Sequence, residues 1–180
     1  MSVELTPGTW TLDLAHTEIG FVVRHAGISK VRGQFTEADA TLVIGNGPDS
    51  SSVNATINTA SFDSNDDNRD AHVKGADFFN VEQFPKMTFR SSAVQGSTEQ
   101  FTLAGDLTIK DTTLPVEFDV EFGGAAVDPF GATRAGFSAT TVISRKQFGI
   151  TWNAALEAGG VLVGDKVTIN VDAAFVLSAN

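Results

Sequence analysis

From Leu114 to Phe122 the chain alternates with few breaks: Val116, Phe118, Val120 and Phe122 on one side, Glu117, Asp119 and Glu121 on the other. A period of two residues fits one local structure, a strand with a dry face and a wet face. A strand that is dry on one side must find a sheet to cover that side. The same alternation recurs at residues 19–25, where Ile19, Phe21 and Val23 oppose Glu18 and Arg24, and at 10–14, 35–44, 53–62, 87–94, 101–109, 134–144 and 167–177. Eight or nine strands are therefore expected, divided by turn signals. Gly45-Asn46-Gly47-Pro48-Asp49, Gly96-Ser97, Lys110-Asp111-Thr112-Thr113 and Gly123-Gly124 are all read as reversals, because Gly, Asn and Asp tolerate positive φ or bond to their own backbone. Short reversals join antiparallel neighbours. About eight such strands can close into a barrel that removes exposed edges, with an interior just wide enough to be packed or to hold one small ligand. The fold class is thus all-β, a single antiparallel eight-stranded barrel, with residues 1–180 as one domain.

Two stretches depart from the alternation. Residues 63–84 are rich in Asp and Asn and contain a helical run at Arg69-Asp70-Ala71-His72-Val73-Lys74. Asn65, Asp66 and Asp67 supply its cap and first turn, and Pro85 stops any continuation. This segment reads as a short helical insertion, or lid, between strands. Residues 146–160, with Gln147-Phe148-Gly149-Ile150 and Trp152, read as a turn of helix at a barrel mouth.

The aromatic volume is 14 Phe and no Tyr, so the interior has few hydroxyls in need of buried partners. A formal charge of −10 argues against nucleic acid, which is bound by neutralising phosphates, and against permanent residence on an anionic membrane. Without cysteine there is no disulfide, thiol nucleophile or zinc knuckle. Met1 to Trp10 lack a basic and apolar leader, and no apolar run is long enough to span a bilayer; no stable membrane insertion and a cytoplasmic location are expected.

Catalytic and metal motifs do not assemble. Asp63-Ser64-Asn65-Asp66-Asp67-Asn68 resembles the start of a calcium loop, but its turn position holds Asn68 and its bidentate position Lys74. His16, His25 and His72 have no local metal-binding spacing, and His16 and His72 are expected to order turns. No Gly-x-Ser-x-Gly elbow singles out a serine.

The ordered motifs carry a resemblance. Trp10-Thr11-Leu12-Asp13, His16-Thr17-Glu18-Ile19-Gly20-Phe21 and Arg24-His25 open the chain, followed by Arg69-Asp70-Ala71-His72-Val73-Lys74-Gly75-Ala76-Asp77-Phe78-Phe79-Asn80 and Phe84-Pro85-Lys86-Met87-Thr88-Phe89. Gly105-Asp106-Leu107-Thr108-Ile109-Lys110, Arg134-Ala135-Gly136-Phe137 and Ser144-Arg145-Lys146-Gln147-Phe148-Gly149-Ile150 complete the set. Over nearly its whole length the chain resembles the YceI family. It departs where the family pattern usually places Gly, since this chain has Asp111 after Lys110, and in lacking the leader of its periplasmic relatives.

The resemblance implies a lipocalin-like barrel whose apolar pore holds a polyisoprenoid, a quinone-type lipid or a similar long amphiphile. It implies a carrier, not an enzyme, with no cofactor and no metal, and a homodimer as the inherited assembly. Phe21, Val23, Phe35, Ile57, Phe89 and Leu103 are the expected pore lining, with Phe118, Val120, Phe137, Trp152 and Phe175. Arg24, His25, Arg69, His72 and Arg134 are candidates to meet a polar head group. The rival readings are a hydrolase or isomerase acting on such a lipid, with a His and an Asp as acid and base, and a packed structural or stress-response dimer.

Overall fold

The computed structural model describes residues 5–47, 50–157 and 159–178, so Pro48 and Asp49 of the first expected turn lie outside the described residues. The alternating segments become eleven strands: β1 (Gly8–Leu12), β2 (Glu18–His25), β3 (Ser29–Phe35), β4 (Ala38–Ile44), β5 (Ser52–Asn58), β6 (Phe62–Asp63), β7 (Lys86–Gly96), β8 (Gln100–Ile109), β9 (Thr112–Val127), β10 (Thr133–Ser144) and β11 (Val163–Leu177). Helix α1 (Asp67–Lys74) lies between β6 and β7. Hydrogen-bonded neighbours run β1-β4-β5-β7-β8-β9-β10-β11, and β11 returns to β1. An eight-strand antiparallel ring is closed.

The three remaining strands are continuations. β1 and β2 lie end to end along one edge of β11, with Leu12 opposite Phe175 and Glu18 opposite Asp172. In the same way β3 leads into β4, and β5 into β6, so three of the eight staves are interrupted. Side chains that compete for backbone hydrogen bonds cause the breaks. The Thr17 hydroxyl donates to the Asp13 carbonyl (2.7 Å) beside a 3-10 turn at Leu14–His16. The Ser61 hydroxyl accepts from the Thr36 and Glu37 N–H groups (3.1 and 3.0 Å) and donates to the Asn58 carbonyl (2.6 Å). It thereby occupies both interruptions at once.

The inward face follows the alternation. In β9, Phe118 and Val120 are buried while Glu117, Asp119 and Glu121 are exposed. Apolar side chains form two clusters inside the ring. One is centred on Trp10, Ala135 and Phe175; the other, larger, includes Ile57, Phe89, Leu107, Phe118, Ile143 and Phe148; Val53 and Phe137 touch both.

Three expectations are corrected. Residues 35–44 are not one strand: β3 begins at Ser29 and the stave breaks at Thr36. Gly123-Gly124 is not a reversal but a bulge inside β9, where Gly136 pairs with Gly124 and Phe137 with Phe122. Glycine serves there because Gly124 has φ 118°; the reversal comes later, where the Asp128 carboxylate accepts from the Phe130 and Ala132 N–H groups. In the β8–β9 hairpin the left-handed residue is Lys110 (φ 58°), one place before Asp111.

Candidate ligand-binding site

The barrel has two ends of different construction. At the Trp10 end, Trp10 is fully buried and packs with Phe175, Ala135, Leu12, Leu42 and Leu177. Its indole N–H donates to the Thr6 carbonyl (3.1 Å). Outside this cap, Arg134 donates to both Asp13 and Asp128, and the Asp13 carboxylate also meets His16 Nδ1 (2.8 Å). The hydrogen bonds from Arg134 hold both carboxyls below the usual carboxylate range.

At the other end the insertion forms a plug. Asp66 caps α1 by accepting from the Arg69 N–H (3.0 Å), as its sequence position suggests. The helix itself is polar; the apolar contribution comes just after it. Phe79 enters a group of Phe21, Phe35 and Phe62 with ring centroids 5.3–6.1 Å apart. Phe78 packs against Trp152 (5.5 Å) and His72 (5.1 Å), and His72 stands edge-on to Trp152 (4.7 Å). The plug is thus joined to β3 and β6 by one phenylalanine and to the β10–β11 loop by the other.

The same end carries the buried polar groups. The Asp70 carboxylate accepts from the Ser64 N–H and hydroxyl, while the Arg69 guanidinium donates to the Ser64 hydroxyl and carbonyl. Arg145, 5% exposed, donates to the carbonyls of Gly164, Ile150, Trp152 and Val163. Burial lowers its pKa. Sequence reasoning gave Arg145 no role, because an arginine at the end of a strand looks like any surface cation until the loop folds around it.

Of the expected lining residues, Phe21, Val23, Phe35, Ile57, Phe89, Leu103, Phe118, Val120, Phe137 and Phe175 occupy the inward register of their strands. Trp152 sits in the β10–β11 loop beside the plug. The lining is not uniform. Ile57, Phe89, Leu107, Phe118, Val120 and Phe175 are buried, whereas Ile19, Phe21 and Val23 of β2, Val167, Ile169 and Val171 of β11, Phe101 and Leu103 of β8, Leu114 and Val116 of β9 and Phe137 of β10 are half-buried. Some inward positions have no side chain. Gly33 lies beneath the Phe21 ring and Gly105 beneath the Phe89 ring, where an added Cβ would collide with the ring atoms.

The five head-group candidates do not form one site. Arg24 and His25 end β2 near the plug, and Arg69 and His72 lie on α1, with His72 Nε2 3.0 Å from the Asp77 carboxylate. Arg134 is at the opposite end, within its ion pairs. His16 and His72 each bond locally to an Asp, and among the described residues no group of three His, Asp or Glu side chains is placed to hold a metal. Two surface concavities, of about 720 and 560 Å³, lie on the outer side of β8–β11. Exposed Asp119, Glu121, Ser138, Thr140 and Asp172 line the first, which suits polar solutes better than an apolar tail. Among the described residues, no helix is long and apolar enough to cross a membrane.

Comparison with known proteins agrees with this architecture. The sequence profile of the YceI-like domain matches residues 10–175. A UPF0312 protein of Staphylococcus aureus is 40% identical over 172 residues, covering 94% of this chain and 98% of that one. The Campylobacter jejuni YCEI crystal structure superposes with a TM-score of 0.72 at 28% identity, over 99% of this chain and all of the other. Burkholderia cenocepacia BcnA superposes at 0.78 with 24% identity, over 91% and 98% of the two chains. A Saccharophagus degradans domain described as polyisoprenoid binding superposes at 0.70 with 9% identity, over 94% and 98%. These last two show a shared fold.

Proposed function

The chain belongs to the YceI-like domain family, and on that premise we propose that it binds a long-chain amphiphilic lipid in its lumen and performs no chemistry on it. The tail is of the polyisoprenoid, quinone-type or fatty class. Half-buried inward side chains carry this reading: Phe21, Val23, Leu103, Phe137, Val167 and Ile169 point inward yet keep accessible surface. A filled barrel would close them as tightly as Phe118 and Leu107.

The lining favours carriage over catalysis. The buried Asp70 and Arg145 are taken up by Ser64 and by four loop carbonyls, whereas general acid–base chemistry needs a titratable group in reach of the reacting bond. That a domain of the same fold is described as polyisoprenoid binding supports the capacity of such a barrel for a tail of this kind. Each buried methylene contributes about 0.8 kcal/mol against an association cost of roughly 4 to 15 kcal/mol. Tails much longer than about ten carbons are therefore favoured.

The test compares a half-buried inward position with a buried one. Ile169→Trp is expected to unfold within about 1 kcal/mol of the parent while weakening a fluorescent polyprenyl or fatty probe at least tenfold, because the ring takes up tail volume. Phe118→Trp, at a buried position, is expected to cost about 1 to 3 kcal/mol from overpacking. Equal destabilisation by both, with no probe bound by the parent and no lipid seen by native mass spectrometry, would mean a packed barrel and defeat the carrier reading.

A further inference from the structure

The β2–β3 hairpin differs from the rest of the molecule in charge. Between Glu18 and Glu37 there is no acidic residue, although the whole chain has a formal charge of −10. Arg24, Lys30 and Arg32 are on the outward register of the hairpin and exposed, with Arg24 directly opposite Lys30 and Arg32 opposite Val22. Like charges facing each other across a strand pair are unfavourable. Among the described residues, none of the three lies within ion-pair distance of a carboxylate.

The tip adds an apolar side chain. Ala26 and Gly27 both take positive φ (54° and 71°), and the Ile28 N–H donates to the His25 carbonyl (3.2 Å). This tight turn suits the twist of the strands and holds Ile28 outward, 87% exposed. Behind the tip, Val23 and Val31 are half-buried on the inward register, and on its β6 side β3 is paired only at Gln34 and Phe35. The hairpin is therefore anchored to β11 through β2, while the β3 edge from Ser29 to Gly33 is left unpaired beside the lumen.

We propose that this hairpin docks the barrel reversibly on the surface of an anionic bilayer. Ile28 enters the boundary between head groups and acyl chains, and Arg24, Lys30 and Arg32 meet lipid phosphates. One apolar tip with a band of cations is the combination that interfacial binding requires, and the acidic remainder of the molecule turns away and keeps the contact short-lived. Docking places the mouth of the lumen where a poorly soluble tail could pass without crossing water. The biological purpose rests on the carrier reading, but the docking stands or falls separately.

Flotation of the full chain with vesicles of equal parts phosphatidylglycerol and phosphatidylcholine, and with phosphatidylcholine alone, provides the test. Binding is expected on the anionic vesicles only, and raising the salt should weaken it steeply. Arg24→Glu with Arg32→Glu should reduce partitioning at least about tenfold, and Ile28→Asp should reduce it while leaving thermal unfolding unchanged. Salt-insensitive binding, absence of binding to anionic vesicles, or unaltered binding by the charge-reversed variant would overturn the proposal, the last result pointing to another surface. A detergent-delivered fluorescent probe reports lumen occupancy without any membrane. Probe binding without vesicle binding defeats only the docking; vesicle binding without probe binding defeats only the carrier reading.

Discussion

The Trp10 end of the barrel is closed by apolar packing, whereas the plug end adds a buried polar network to its packed phenylalanines. At the first, the buried residues are Trp10, Ala135 and Phe175, with no buried polar group among them. At the second, Thr59, Ser64, Asp70 and Arg145 are buried, and each is hydrogen-bonded to carbonyl, hydroxyl, carboxylate or N–H groups around it. Apolar packing is non-directional and resists rearrangement in proportion to the area it hides. A directional network fails when a single partner leaves, because the remaining groups are stranded. The first end is suited to staying shut. The second is assembled from separable pieces, as a mouth that must open would be.

Removing Trp10 should have the largest effect. Trp10→Ala is expected to cost about 3 to 5 kcal/mol in urea unfolding, and Trp152→Ala, which empties a half-buried position, clearly less. Equal losses would erase the contrast between the ends. Next comes Arg145→Ala, which deprives four carbonyls of their donors at an expected cost of about 1 to 3 kcal/mol. Hydrogen exchange should accelerate in residues 149–164 while β1 stays protected, and Arg145→Lys should rescue little, since an ammonium cannot reproduce the guanidinium fork. Acceleration spread over both ends would make the network global.

The smallest effect concerns pH. Arg134 lowers the folded-state pKa of Asp13 and Asp128, so their stabilisation is complete above the unfolded carboxylate value of about 3.9 and is lost as pH falls through the folded values. Arg134→Gln should be slightly less stable at neutral pH and should lose less than the parent between about pH 5 and about pH 2. An identical acid profile for the two proteins would show that the exposed ion pairs contribute nothing measurable.

The residues differ in how openly they announced these features. β9 and the Asp66 cap are local, and their patterns were legible because neighbours in the chain decide them. β3 was missed before Phe35 because Ser29, Lys30, Arg32 and Gln34 hide its period, and its inward positions include Gly33, whose place is filled by a ring from Phe21 across the ladder. Gly123-Gly124 looked like a turn because a bulge and a reversal use the same residues. The pairing of Asp13 with Arg134 spans 121 residues, and no spacing rule reaches that far. The lining was readable as a face, but which inward side chains close tightly and which stay half-buried depends on how eight staves curve together.

The seam where β1 and β2 meet β11 joins the first strands of the barrel to the last, with Trp10 opposite Leu177. Strands β7 to β10 are linked by tight turns and can pair with near neighbours as soon as they form, whereas the seam must bring together almost the full length of the chain. Contacts of such long range form slowly. During synthesis the opening strands leave the ribosome long before their partner exists, with the cationic hairpin and an apolar face uncovered. The interval before ring closure is therefore the time at which this protein is most exposed to aggregation and to proteases.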